Sequence, residues 1–154
     1  MTISDSLYAE LKPEINMIAN PLFDLSEKLL RKRGDFLPHA AVLTEGGDVK
    51  LVSALPEGPD VVTSIEVLPL LHRGLRQQAR EQSIKAVGVA ENVTITLEGR
   101  QPTQAIKVLF EHKGGLTVAL YLPFKKKLLR GYVMDAPFSL AVASEINAWG
   151  ENID

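Results

Sequence analysis

The chain has 154 residues, 45% of them hydrophobic and 23% charged, with a net charge of −2 and no cysteine. Those figures describe one globular domain over residues 1–154 and exclude a disordered chain, a disulfide framework and any thiol or thiolate chemistry. The negative balance argues against a general nucleic-acid binder, which carries a basic surplus.

The first third reads as helix. Leu11, Ile15, Ile18, Leu22, Leu25 and Leu29 recur at steps of four and three, which puts them on one helix face. Pro13 suits a first turn, and Asn20-Pro21 reads as an N-cap followed by a first-turn proline. The segment is either one helix kinked at Pro21 or two helices meeting there. Gly34 after Arg31-Lys32-Arg33 is a stop, with basic residues at the negative helix end and a glycine able to take the left-handed cap.

A hairpin follows, from Ala40 to Thr44 and from Val49 to Ser53, turning at Glu45-Gly46-Gly47-Asp48. Pro56-Glu57-Gly58-Pro59-Asp60 is a loop. A second helix opens at Thr63, with Glu66 as its capping-box partner and Leu68, Leu71, Leu75 and Ala79 along one face. From Ile84 the period becomes two. Strands are expected at Lys85–Ala90, Val93–Leu97, Ala105–His112, Leu116–Leu122 and Leu128–Met134. In the run from Ile106 to Glu111, Ile106, Val108 and Phe110 face the core while Lys107 and Glu111 face out. The last segment, after Asp135-Ala136-Pro137, is either a helix carrying Leu140, Ala143, Ile146 and Trp149 or a strand from Phe138 to Val142; the helix is preferred.

The expected class is α+β: an antiparallel sheet of about five to six strands with helices on one side, in the order α-β-β-α-β-β-β-β-(α). In element order this resembles the profilin-like or roadblock-like layout. That is an analogy of topology alone and transfers no functional residue.

Catalytic signals are sparse. His39 follows Phe36-Leu37-Pro38, where the proline fixes the backbone and aims the next side chain, so it is a candidate base or ligand, with Glu45 or Glu111 as candidate partners. The competing reading has His39 bonded to a nearby carbonyl where the first helix ends. Glu111 and His112 are neighbours on a strand and point to opposite faces, which suits an exposed strand end better than joint catalysis. His72 is expected to face solvent. The histidines number 3, at spacings unlike a zinc site, so no metal is expected. No nucleophile elbow and no glycine-rich phosphate loop is present, and no cofactor is expected.

Lys125-Lys126-Lys127 with Arg130 forms a basic run between Tyr121-Leu122-Pro123-Phe124 and Tyr132. It is read either as a solvated turn that blocks aggregation or as a contact for an anionic partner. Residues 1–30 hold five acids against two bases, and residues 135–154 hold four acids and no base, so both ends suit a basic partner. The first helical stripe covers the sheet or forms a helix–helix seam. A sheet covered on one face leaves apolar residues such as Leu109 and Leu129 on the other, which predicts a homodimer.

The expected function is a cytoplasmic, non-enzymatic binding or protein-interaction module; the alternative is a small enzyme or ligand sensor with a pocket near His39. Nucleic acid and membrane are not expected partners: no apolar stretch is long enough to span a bilayer, and Met1-Thr2-Ile3-Ser4-Asp5 lacks the basic and apolar regions of a secretory leader.

Overall fold

A computed structural model describes residues 3–54, 63–129 and 131–150. The loop expected at Pro56–Asp60 and the candidate Arg130 lie outside the described residues. The elements are α1 (Ile3–Arg33), β1 (His39–Thr44), β2 (Val49–Val52), α2 (Ser64–Glu81), β3 (Ile84–Ile95), β4 (Thr103–His112), β5 (Thr117–Lys127), β6 (Gly131–Met134) and β7 (Phe138–Ala141).

α1 is a single helix that runs through both Pro13 and Pro21. Each proline removes one helical hydrogen bond and frees the carbonyl four residues earlier. Those carbonyls belong to Ala9 and Met17, both exposed, so water can satisfy them. On the other side Leu11, Ile15, Ile18, Leu22 and Leu30 are buried against the sheet, and that packing holds the helix together across the breaks. Gly34, at φ +80°, ends it as expected, its N–H bonding the Leu30 carbonyl at 2.8 Å.

The sheet is antiparallel throughout, in the order β2-β1-β3-β4-β5-β6. β7 pairs with the first half of β5, on the edge whose other half is taken by β6. The α+β class matches the expectation and the order of elements broadly does, and the two faces divide further by strand alternation. Ala41, Leu43, Ala86, Ala90, Ile106, Val108 and Phe110 pack with α1. Ala40, Val42, Val87, Val89, Leu109 and Ala119 pack with Val67, Leu71 and Leu75 of α2 and with Ile146 and Ala148. Gly88 sets how closely α1 approaches: a Cβ there would sit 2.3 Å from the Ile18 Cγ2.

Several boundaries differ from those expected. The two strands expected from Lys85 to Leu97 are one, β3, because β4 pairs with it continuously from Ala86 to Ile95. β5 extends to Lys127, so the lysine run is the end of a strand rather than a turn. The C-terminal helix does not form. Phe138 stacks on Tyr121 with ring centroids 5.1 Å apart, which fixes β7 on the sheet. Beyond it, the N–H groups of Glu145, Ile146 and Asn147 bond to Glu111 instead of to a helical turn.

Lys107 and Glu111 do point away from α1, but α2 and residues 142–149 cover that face, so Glu111 is buried. His72 is half-buried there rather than solvated. Leu109 and Ala119 on that face are therefore covered by the chain itself, while Val133 and Leu140 toward the β5 edge stay exposed. No helix among the described residues is long and apolar enough to cross a membrane.

Candidate functional site

The β5–β6 hairpin carries three consecutive lysines, Lys125, Lys126 and Lys127. Strand alternation sends Lys125 and Lys127 to the face shared with α2 and Lys126 to the face shared with α1. All three are exposed, and no ion pair engages them among the described residues. On the first face, Lys125 and Lys127 join Arg100 around an open groove of about 520 Å³ whose apolar walls include Leu97, Pro123 and Val133; Asp135 is the single acid lining it. On the second face, Lys126 meets Arg31, Lys32 and Arg33 from the end of α1 across a groove of about 410 Å³. Arg31 is partly neutralised by Glu27 at 2.8 Å. Cations from α1, β5 and the β3–β4 connection thus collect at one end of a molecule whose net charge is negative.

The hairpin is firmly based. Phe124 is buried and meets Tyr132 edge to face at 5.7 Å, and the Thr103 hydroxyl donates to the Phe124 carbonyl at 3.2 Å. Its tip is the opposite. Leu128 is 93% exposed and Leu129 fully exposed, and Leu129 sits at φ +72°, a backbone region that a leucine enters only at a cost. Neither leucine contributes packing to the fold.

His39 is 7% exposed. Its Nδ1 donates to the Leu37 carbonyl at 3.0 Å, and its Nε2 lies 3.1 Å from the hydroxyl of Ser26, which is itself fully buried. The ring also meets Phe36 edge to face at 5.4 Å. Burial pushes its pKa below the ordinary value, opposed in part by the carbonyls of Leu37 and Leu22. With both nitrogens engaged and Ser26 enclosed, the pair closes the junction between α1 and β1. A cleft of about 260 Å³, lined by Leu25, Leu29, Phe36, Leu37 and Pro38, opens beside His39.

Glu45 and Glu111 are not brought to His39. Glu45 follows the far end of β1, where its carboxylate pairs with Lys113, and that contact holds its pKa below the usual range. Glu111 points to the opposite face of the sheet. It is 3% exposed, and four donors converge on it: the Ser144 hydroxyl at 2.6 Å, and the N–H groups of Ile146 at 2.7 Å, Glu145 at 3.0 Å and Asn147 at 3.1 Å. Three successive N–H groups around a carboxylate form an anion-binding nest, here filled by the chain's own side chain. His112 instead packs toward α1, with its Nε2 3.2 Å from Glu14, which also pairs with Lys85 at 2.9 Å.

Around Glu111 lies a partly buried ionic patch. Lys107 pairs with Glu145 at 3.0 Å, burial raises the pKa of Glu91, and burial lowers that of His72. Sequence reasoning missed this patch. Its one local signal was Ser144 ahead of three free amides, a pattern that favours a turn with clustered N–H groups. Among the described residues no group of three or more His, Asp or Glu side chains is placed to hold a metal ion.

Comparison with known protein families, with curated proteins and with solved structures returns no match.

Proposed function

We propose that this chain is a non-enzymatic, cytoplasmic binding module that engages an anionic partner, a protein, through the cationic end formed by the β5–β6 hairpin and the end of α1. The observation that carries this reading is the hairpin itself: two leucines exposed by 93% and 100% beside Lys125, Lys126 and Lys127, none of which has an ion-pair partner among the described residues. A cluster of exposed apolar residues rimmed by polar groups marks an interaction surface. The residues considered for catalysis are engaged in holding the fold, which also favours binding over chemistry.

Titration with labelled poly-L-glutamate at low salt tests this. Binding is expected, weakening as salt rises, and replacing Lys125, Lys126 and Lys127 by glutamine is expected to reduce it at least tenfold. Equal binding by wild type and triple variant would overturn the reading.

Self-association belongs to the same proposal. β2 is an edge strand with Leu51 57% exposed, which gives two copies an apolar edge to share. Light scattering decides it, a mass of about twice the 16.9 kDa of one chain supporting the homodimer. The cleft beside His39 favours one second reading, a sensor for a small apolar ligand. Its test is a shift of the His39 ring signals when small apolar compounds are added.

A further inference from the structure

The basic hairpin has a free edge. β6 ends the strand order, so among the described residues one side of Gly131–Met134 has no neighbouring strand. The ladder shows which groups that edge presents. The Asp135 N–H bonds the Pro123 carbonyl at 2.8 Å, and the register continues from there as Lys125 opposite Val133 and Lys127 opposite Gly131. In an antiparallel ladder alternate residues address the same neighbour. Val133 and Gly131 therefore bond to β5, while Tyr132 and Met134 turn their N–H and C=O groups outward.

That edge lies between the two cationic grooves, Arg100, Lys125 and Lys127 on one face and Arg31, Lys32, Arg33 and Lys126 on the other. An added strand sends its side chains alternately to the two faces. Carboxylates at successive positions would reach cations on both. The same charges repel a second copy of this edge, so they select against self-pairing while admitting an acidic strand.

We propose that the outer edge of β6 binds an extended, acidic peptide segment by strand addition, with carboxylates in both grooves and an apolar residue over Leu128 and Leu129. This rests on the binding-module reading above and specifies its partner. Backbone pairing at Tyr132 and Met134 supplies the geometry, and the lysines supply the selection.

The probe is a fluorescein-labelled decapeptide of glutamate with one central leucine, compared with the same peptide N-methylated at alternate residues. Methylation keeps every charge and removes backbone donors on one edge, so both methylation phases are made. Strand addition predicts that one phase loses at least tenfold in affinity. It also predicts that the Tyr132 and Met134 amides slow in hydrogen exchange when the unmodified peptide binds. Met134→Pro removes one outward donor and should weaken binding to a similar degree, with folding checked by the exchange of β3 and β4 amides. If both methylated peptides bind as tightly as the parent and the two amides stay unprotected, strand addition is overturned while the anionic-partner reading stands. If no acidic peptide binds but vesicles of phosphatidylcholine with phosphatidylglycerol do, the partner is a lipid surface and the proposal is likewise overturned.

Discussion

Glu111 and the lysines of β5 lie on neighbouring strands and have opposite fates. Glu111 is enclosed, and four donors surround its carboxylate. Lys125, Lys126 and Lys127 lie in water with no ion-pair partner among the described residues. A buried charge is tolerated only when its hydrogen bonds are made within the fold, and such a charge becomes structural. An exposed charge contributes little to stability and stays available to a partner. The two regions thus separate the charge that builds this molecule from the charge it presents.

The largest expected effect comes from the residue beside Glu111. Phe110 is fully buried against α1, and Phe110→Ala should cost about 3–5 kcal/mol in chemical denaturation. An unchanged midpoint would mean that the α1 face is not the main core. Next is Glu111→Ala, which strands the buried Ile146 amide and removes the shared acceptor of the partly buried Glu145 and Asn147 amides and the Ser144 hydroxyl. A loss of about 3 kcal/mol is expected, with faster exchange at Glu145, Ile146 and Asn147. Glu111→Gln, which keeps one acceptor, should cost less. Equal stability for both variants would show that the C-terminal segment holds its place without the carboxylate.

A smaller effect is expected from pH. Burial puts the folded-state pKa of His39 below its ordinary 6.5, so below that pH the unfolded chain binds more protons than the folded one. Stability is then lost as pH falls from 6.5 through the folded-state value. His72 is shifted the same way, more weakly placed because it is half exposed, whereas Glu91, with its pKa raised, opposes the trend at lower pH. The comparison with His39→Gln isolates the His39 share, since that variant should show a flatter stability profile below pH 6.5. A profile as steep as wild type would mean the imidazole is not desolvated.

The smallest effect on stability belongs to the lysines. Glutamine at Lys125, Lys126 and Lys127 should change stability by no more than about 0.5 kcal/mol each. A large drop in melting temperature would place these cations in a structural network and erase the contrast with Glu111.

Local pattern carried much of the fold. The four-three stripe from Leu11 to Leu29 fixed a helix, Gly34 its end, the glycines at 46–47 and 114–115 two hairpins, and the alternation at Ile106, Val108 and Phe110 the register of β4. These depend on contacts close in the chain, where spacing alone sorts side chains onto faces. The lysine run was visible as a candidate contact for the same reason, although its place on a strand was not.

Other features depended on groups far apart in sequence, and only the tertiary structure decided them. Whether α1 survives two prolines depends on the sheet beneath it, because packing outweighs the lost hydrogen bonds. Whether residues 138–149 coil depends on Tyr121 and Glu111, since a carboxylate 34 to 36 residues away takes the amides a helix would need. Whether Glu111 meets water depends on α2 and that same segment covering the second face. Nor could the sequence show that the end of α1 lies against Lys126, because two runs of cations separated by some ninety positions acquire a common field only once the sheet has brought them together.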